Sequence, residues 1–245
     1  MYFAKLEKIL KIFCDFDGTI TYQDVWLEIG DYFIEDKKAW SELISSYEKT
    51  EIGSRECFLK EFSLIKNFDK KKFDEIIDKQ VIEHYFKDFV KFCKDKKIEL
   101  IILSEGIDYY INRILRNNGL DIPFYTNKFV LSADEKSIGL EFPYCDAECS
   151  NCGCCKRNLL LNMTGDDEIS VYIGDGLSDI YAVQYADIVF AKKSLASYCW
   201  KNNITYFDYI DFNDVRKKLE KVLSAKKIKP RQQARLNRKD AYLGG

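Results

Sequence analysis

Two carboxylates placed two positions apart, Asp15 and Asp17, are the residues of this sequence best suited to chemistry. They follow an apolar run, residues 10–14, and lead into Gly18 and Thr19. Because side chains alternate along a strand, both carboxylates lie on one side of the chain, where they repel unless a cation or a proton separates them. A Mg²⁺ ion would do so, leaving one carboxylate to attack an electrophile and the other to transfer protons. On this stretch alone an Asp-x-Asp-Gly surface turn is an equally good interpretation.

Three further polar signals follow, each at the end of a predicted strand or the start of a predicted helix. The apolar run 98–103 predicts a buried parallel strand, and Ser104 stands where that strand meets a helix start, a place where anions bind. A later apolar strand ends at Asp175, with Asp179 one turn into the next helix. Lys156 opens another helix pattern, and its ammonium group is suited to pair with a phosphate.

In this order the signals resemble the four motifs of the haloacid dehalogenase superfamily of phosphotransferases: D-x-D-x-T, a strand-end Ser or Thr, a Lys, and G-D-x-x-x-D. The resemblance covers residues 10–223. It implies that Asp15 becomes an aspartyl-phosphate and that Asp17 is the acid and base. It also implies a Mg²⁺ site formed by Asp15, the backbone carbonyl of Asp17, and Asp175. Asp179 would contact these ligands without binding the ion directly, or would bind the ion through water. The expected phosphate-binding residues are Thr19, Ser104, Glu105 and Lys156.

Two cap positions are similar to substrate contacts of the phosphoserine-phosphatase branch of that superfamily. Asp24 falls where the branch has a Glu that contacts substrate, and Arg55 falls near an Arg that grips a substrate carboxylate. A solvated surface Arg is the alternative for Arg55. The branch has Ser-Gly-Gly where this chain has Ser104, Glu105 and Gly106. A negative side chain beside a phosphate pocket argues against serine phosphate as the substrate.

A cysteine-rich segment precedes Lys156 and is similar to the corresponding segment of the methionine-salvage branch, the 2-hydroxy-3-keto-5-methylthiopentenyl-1-phosphate phosphatases and their relatives. Its thiols are close enough in sequence to supply a tetrahedral Zn²⁺ site, and disulfides or free thiols are the alternatives. The predicted zinc ligands are Cys145, Cys149, Cys152 and either Cys154 or Cys155.

Apolar periodicity predicts an α/β fold: a doubly wound core with an inserted helical cap and a small β-hairpin. The resemblance implies that this core is the Rossmann-like core of the haloacid dehalogenase type. The core is expected at 1–22 and 83–223, the cap at 23–82, and a basic, poorly ordered tail at 224–245. The hairpin is expected at 124–131 and 137–142. The other expected strands are 11–15, 98–103, 170–174, 187–191 and 204–207, and the expected core helices are 84–96, 106–118, 155–163, 177–185 and 211–223.

Charge and hydropathy exclude several classes of protein. The net charge is −2, and from Lys226 onward seven Lys or Arg face one Asp, so the rest of the chain carries −8. A body this acidic argues against nucleic-acid binding, because a phosphate backbone requires a basic face. No apolar run approaches membrane length and the first residues carry charges, so we expect a cytoplasmic protein that is not held in a membrane.

Together these signals predict a Mg²⁺-dependent phosphatase that acts on a small phosphorylated metabolite through an aspartyl-phosphate. The enol-phosphate of methionine salvage is the first candidate substrate, and phosphoserine, phosphocholine-like and pyridoxal phosphate esters are the alternatives. A catalytically silent metal-sensing or RNA-associated module is the alternative from another class. The repelling pair Asp15 and Asp17 argues against it. The sequence leaves the oligomeric state open.

Overall fold

A computed structural model of the chain describes residues 9–146, 149, 151–225 and 228–243. Seven strands form one sheet in the order β4-β3-β2-β1-β5-β6-β7. The strands are β1 (Ile9–Cys14), β2 (Glu99–Ile107), β3 (Phe124–Leu131), β4 (Ile138–Glu141), β5 (Glu168–Gly174), β6 (Ile188–Ala191) and β7 (Phe207–Asp208). Every pairing is parallel except that of β3 with β4, the expected hairpin.

Ten helices surround the sheet in the described residues. They are α1 (Val25–Phe33), α2 (Lys37–Glu48), α3 (Ser54–Leu64), α4 (Lys70–Asp78), α5 (Phe86–Asp95), α6 (Asp108–Asn117), α7 (Lys156–Met163), α8 (Lys193–Lys201), α9 (Phe212–Ser224) and α10 (Gln232–Leu243). None of the helices in these ranges is both long and apolar enough to cross a bilayer.

The sheet is buried on both faces, as a doubly wound fold requires. Along β1, Ile12 and Cys14 belong to one apolar cluster, and Phe13 belongs to another on the opposite face. The chain leaves β1 toward β2 on one side and later returns to β5 on the other, so β1 lies at the point where the strand order reverses. Ligands bind at the carboxyl ends of the strands beside such a point. The predicted fold class is confirmed.

Helices α1 to α4 occupy the segment between β1 and α5, where the sequence predicts an inserted cap. Thr21 and Ile82 pair in an antiparallel bridge, so the two ends of this segment lie side by side. The segment packs around aromatic rings: Trp26 stacks on Phe62 at 4.7 Å and meets Phe58 edge-on at 4.7 Å. Such pairs stabilise packing beyond the area they bury.

Three elements differ from the sequence-based expectations. A 3₁₀ turn at Leu177–Asp179 replaces most of the helix expected at 177–185, because Asp179 accepts the backbone N–H groups of Asp175 and Gly176 and tightens the turn. Helix α8 was not expected, since Leu195 and Cys199 are its only buried residues and leave a weak periodic signal. The last strand was expected at 204–207, but the structure has it as the two-residue strand β7, Phe207–Asp208.

The basic tail, expected to be poorly ordered, contains helix α10, which packs on the core. Arg238 donates two hydrogen bonds of 3.0 Å to the carboxylate of Asp187. Asp187 is fully buried and also accepts the backbone N–H of Ser170. A buried carboxylate needs a charged partner, and composition alone gave no sign that the tail supplies it.

Candidate active site

A cleft of about 440 Å³ lies at the carboxyl ends of β1, β2 and β5, between the sheet and the cap segment. Its sheet side carries the carboxylates of Asp15, Asp17 and Asp175. Its cap side carries aromatic and aliphatic side chains together with the carboxylates of Asp24, Glu48 and Glu61. The apolar residues there are Trp26, Leu27, Ile44, Tyr47, Cys57 and Phe58. The site therefore combines a charged floor with a roof that is apolar in part and acidic in part.

Lys156 is buried beside the floor and binds its carboxylates. Its Nζ lies 2.6 Å from Asp15 Oδ1, 2.7 Å from Asp179 Oδ1 and 2.9 Å from Ser178 Oγ. Burial alone would lower the pKa of this ammonium, but the carboxylates of Asp15 and Asp179 raise it well above its ordinary value. Lys156 is therefore charged. Burial and the nearby Asp179 carboxylate raise the pKa of Asp15, against the effect of Lys156.

Three buried carboxylates can hold a metal ion. Ligand oxygens of Asp15, Asp175 and Asp179 all lie within 4.8 Å of one another. Carboxylate oxygens are the donors that Mg²⁺ prefers, so the donor set fits this ion. The side chain of Asp17 is not in the group.

Two side chains, the cationic Lys193 and the polar Thr19, donate hydrogen bonds to Asp175. Lys193 donates to Asp175 Oδ2 at 2.8 Å and to the carbonyl of Gly18 at 3.3 Å. The hydroxyl of Thr19, expected to bind phosphate, donates to Asp175 Oδ1 at 3.3 Å. Lys193 was not among the site residues predicted from the sequence, because a Lys at a helix start is usually solvated. The one signal for a role of Lys193 in the site is its position two residues after the end of β6.

Asp17 has its own set of donors. Its Oδ2 accepts the hydroxyl of Tyr110 at 2.7 Å and that of Ser104 at 3.3 Å, and its Oδ1 accepts the backbone N–H of Val25 at 3.1 Å. Burial, followed by the charge of Asp24, raises the pKa of Asp17 to about 7. A carboxyl group with such a pKa can both give and take a proton near neutral pH.

Tyr110 is a site residue that the sequence analysis missed. It lies on α6, in a stretch whose aliphatic periodicity predicts a core-facing helix, and an aromatic residue there is usually core. The ring is fully buried, but its hydroxyl reaches Asp17 across Gly106. A Cβ added to Gly106 would lie 1.8 Å from that hydroxyl oxygen, so this approach requires glycine. A buried Tyr hydroxyl needs a partner, which was the available signal.

Glu105 lines the cleft wall, as does Ser54 of the cap. Burial raises its pKa to about 7, against the effects of Ser54, Lys156 and the backbone N–H of Gly153. Ser104, beside it, accepts the backbone N–H of Gly106 at 2.9 Å. Glu105 thus lies between the core and the cap, beside the predicted phosphate site.

The two predicted substrate contacts on the cap are placed differently. Asp24 is exposed, lines the cleft, and caps α1 by accepting the N–H of Leu27 at 3.1 Å. Arg55 does not line the cleft. Its guanidinium donates to the backbone carbonyl of Cys149 at 2.6 Å.

The structure does not support the predicted Zn²⁺ site. The Asp cluster is the one metal-ligating group of three or more side chains among the described residues, which include all five cysteines of the segment. Cys154 turns into the core and donates to the carbonyl of Tyr125 at 3.6 Å, whereas Cys145 is exposed. Cys145 and Cys154, two of the predicted ligands, therefore lie in different surroundings.

Comparison with known proteins agrees with this geometry. The family model described as haloacid dehalogenase-like hydrolase matches residues 12–184. The chain belongs to this family. It is 31% identical over 216 residues to the 2-hydroxy-3-keto-5-methylthiopentenyl-1-phosphate phosphatase of Bacillus pumilus, covering 87% of this chain and 92% of that one. It is also 31% identical over 222 residues to the Bacillus cereus protein of that name, covering 89% and 99%.

Solved structures show the same fold. A phospho-aspartyl intermediate analogue of phosphoserine phosphatase aligns with a TM-score of 0.68 at 18% identity, over 88% of this chain and 99% of that one. A substrate-bound phosphoserine phosphatase complex aligns with a TM-score of 0.67, over 87% and 99%. This member of the haloacid dehalogenase-like hydrolases is a phosphoric monoester hydrolase.

Proposed function

We propose that this hydrolase uses Mg²⁺ and a phosphorylated Asp15 to hydrolyse the enol-phosphate of methionine salvage or a closely related small ester. One observation carries the proposal: Lys156 binds Asp15 and Asp179 in a buried carboxylate cluster, with the carboxyl group of Asp17 on separate donors beside it. The names of the curated relatives support the choice of ester.

The first half of the reaction is attack by Asp15 on phosphorus. Lys156 lowers the pKa of the buried Asp15 carboxylate against the effect of burial and, with Thr19 and Ser104, holds the phosphoryl oxygens in line with it. Asp15, Asp175 and Asp179, with the backbone carbonyl of Asp17, would hold Mg²⁺, which neutralises charge on the transferred phosphoryl group when bound.

The second half is hydrolysis of the aspartyl-phosphate. Asp17 gives its proton to the leaving oxygen in the first half and is then able to take one from water. The hydroxyl groups of Tyr110 and Ser104 and the amide of Val25 orient this carboxyl group. A carboxyl group near its pKa at neutral pH can serve both steps.

The cap side of the cleft favours an uncharged, partly apolar leaving group. Trp26, Phe58 and Cys57 offer a surface suited to a methylthio group. No Arg lines the cleft in the described part of the chain, because Arg55 turns to Cys149. Glu61 and Glu105 add acidic groups to the wall. A substrate carboxylate, as in phosphoserine, would meet repulsion there.

A second candidate is a phosphocholine-like ester. Aromatic faces with carboxylates near them bind quaternary ammonium groups, and Trp26 and Tyr47 line the cleft together with Asp24 and Glu48. The alternative is separable from the first by assay, since the two leaving groups differ in charge.

The proposal includes the organisation of the chain and its setting. The core comprises 1–22 and 83–223, and the cap, 23–82, encloses the leaving group over the cleft. The free state of all nine cysteines favours a reducing compartment such as the cytoplasm.

The test is hydrolysis by the Asp15→Asn protein. We expect turnover of an aryl phosphate and of the enol-phosphate to fall by several orders of magnitude, because an amide is neither a nucleophile nor a charged metal ligand. Asp187→Asn, which also alters a buried carboxylate, is the control and keeps its turnover. Wild-type rates for Asp15→Asn would overturn the mechanism. Faster hydrolysis of phosphocholine or phosphoserine than of the enol-phosphate would overturn the choice of substrate.

A further inference from the structure

The wall of the cleft carries far more acidic than basic side chains. Among the described residues on this wall, Lys193 is the one Lys, Arg or His. The carboxyl groups on the same wall are those of Asp15, Asp17, Asp24, Glu48, Glu61, Glu105 and Asp175. A phosphate ester carries about two negative charges at neutral pH, so most of this wall repels it. The favourable charge that a substrate meets on this wall is that of Lys193.

The ammonium group of Lys193 is open to a ligand. An ammonium group has three N–H donors, and contacts within the described residues use two of them. One goes to Asp175 Oδ2 at 2.8 Å and the other to the carbonyl of Gly18 at 3.3 Å. The side chain is 55% exposed. The third donor can therefore reach an oxygen of a bound phosphoryl group, which is a strong acceptor.

Lys156, the other lysine of the site, is placed differently. Its side chain is 1% exposed, and it lies behind the cleft wall as the structure describes it. Its ammonium donates to Asp15, Ser178 and Asp179. Lys156 thus supplies charge from behind the floor, whereas Lys193 supplies charge at the surface that a substrate touches.

The backbone fixes Lys193 at the carboxyl end of β5. The N–H of Lys192 donates to the carbonyl of Gly174 at 3.3 Å, and the N–H of Leu195 donates to that of Asp175 at 3.0 Å. Lys193 itself has a φ of 49°, a left-handed conformation that a Lys rarely adopts. Such strain persists where surrounding contacts hold it, and it is concentrated at functional sites. The start of this side chain is therefore set by the sheet and not by a loose loop.

Lys193 lies close to the place of the phosphoryl group. It is bound to Asp175, and ligand oxygens of Asp175 and Asp15 lie within 4.8 Å of each other. A phosphoryl group that faces Asp15 is therefore one carboxylate away from the ammonium. The flexible four-carbon stem of a lysine covers such a gap by a small change of rotamer.

We propose that Lys193 is a further phosphate-binding residue of this hydrolase, and that its ammonium donates a hydrogen bond to an oxygen of the phosphoryl group. The inference rests on the proposed function in one respect, the place of the phosphoryl group beside Asp15. It does not depend on the identity of the ester, because every phosphate monoester presents the same oxygens.

The experiment measures the binding of inorganic phosphate to the full-length protein in saturating Mg²⁺ by titration calorimetry, and the hydrolysis of an aryl phosphate. Lys193→Met removes the charge and keeps the length of the side chain. We expect the Kd of phosphate and the KM of the ester to rise by about tenfold, as for loss of one hydrogen bond to a charged group. Lys193→Arg, which keeps the charge, should recover most of the affinity. Lys201→Met, at the other end of α8, is the matched control and should leave both values unchanged.

Two further measurements separate phosphate binding from a structural role. Asn tolerates the left-handed conformation, so Lys193→Asn removes the ammonium and keeps the turn. We expect this variant to unfold at the wild-type temperature and to bind phosphate as weakly as Lys193→Met. Binding of Mn²⁺ by the free protein, followed by electron paramagnetic resonance, should not weaken in either variant. Asp175 keeps the hydroxyl of Thr19 as a donor, and a charge that repels the ion is removed.

Wild-type phosphate affinity in Lys193→Met would overturn the proposal. A loss of phosphate affinity that follows a loss of Mn²⁺ binding would also overturn it, because Lys193 would then act on Asp175 alone. If Lys193→Met does not fold, Lys193→Asn decides. Weak phosphate binding in Lys193→Met, with wild-type turnover in Asp15→Asn, would contradict the proposed mechanism and leave the role of Lys193 standing. An inactive Asp15→Asn with normal phosphate binding in Lys193→Met would overturn this inference alone.

Discussion

The hydroxyl of Tyr110 donates a hydrogen bond of 2.7 Å to Asp17 Oδ2. The contact joins a buried ring on α6 to the carboxyl group that we propose as acid and base. It passes over Gly106, where no side chain would fit. Removing the hydroxyl leaves Asp17 without its shortest hydrogen bond.

We therefore expect Tyr110→Phe to lower kcat by about tenfold with little change in KM, because a hydrogen bond to a charged group contributes about 1.5–3 kcal/mol. Steady-state kinetics on an aryl phosphate measures this. Tyr109→Phe is the matched control, since that neighbouring hydroxyl donates to Asp74 at 2.6 Å outside the cleft. Equal losses in the two variants would show that Tyr110 only supports the fold.

Glu61 predicts a pH dependence of stability. Both its oxygens accept indole N–H groups, from Trp26 and Trp40 at 2.8 Å, and the side chain is buried. Burial raises its pKa from the ordinary 4.5 to about 7. The folded state therefore binds this proton more tightly than the unfolded state does. The stabilisation is complete below pH 4.5 and is lost as the pH rises through about 7.

The comparison is with Glu61→Gln, which cannot titrate. We expect the free energy of unfolding of the wild type, relative to this variant, to fall by up to about 3 kcal/mol across that range. Denaturant unfolding at a series of pH values measures the difference, and Glu42→Gln on α2 provides a surface control. A constant difference between wild type and Glu61→Gln would contradict the assignment.

Gly53 tests the contact between the cap and the segment before Lys156. A Cβ at this position would lie 2.5 Å from the Cα and carbonyl oxygen of Asn151. We expect Gly53→Ala to raise KM several-fold with a smaller effect on kcat, because the first turn of α3 must move away from Asn151. Gly139→Ala, whose Cβ would come no nearer than 3.9 Å to Val130, should leave KM unchanged. A change in kcat alone would place the effect in the chemistry instead.

The carboxylate cluster predicts a requirement for Mg²⁺. Treatment with EDTA should abolish hydrolysis and added Mg²⁺ should restore it, because Asp15, Asp175 and Asp179 supply the oxygen donors. The Asp175→Asn protein should need a Mg²⁺ concentration at least about tenfold above that of the wild type for half-maximal activity, because it lacks one charged ligand. Full activity in EDTA would rule out the metal site.

Helix α10 predicts a stability effect far from the cleft. Arg238→Ala leaves the buried carboxylate of Asp187 without its bidentate partner, so the free energy of unfolding should fall by about 3–5 kcal/mol. Arg235→Ala, which removes a longer and more exposed ion pair of 3.6 Å with Asp187, should cost under about 1 kcal/mol. Thermal unfolding of both variants measures the contrast. Similar losses would mean that the helix as a whole, and not Arg238, holds the tail.

The sequence by itself predicted the fold class, which the structure confirms, and the main members of the proposed site. Asp15 and Asp17 stand out because period-2 alternation within one strand is a local property. Ser104 and Asp175 follow because parallel strands bring their carboxyl ends to one edge, whatever the loops do. Each of these inferences depends on residues that are close together in the sequence.

Only the tertiary structure decided which side chains turn toward the cleft. The periodicity of α6 predicts that Tyr110 packs in the core. Its hydroxyl nevertheless reaches Asp17, because the backbone at Gly106 leaves room for it. Arg55 was expected at the substrate and lies instead on the Cys149 carbonyl. Composition predicted a loose tail, yet Arg238 pairs with Asp187, 51 residues away. These outcomes depend on the path of loops and on pairs of groups distant in sequence, where desolvation and partner geometry outweigh local preference.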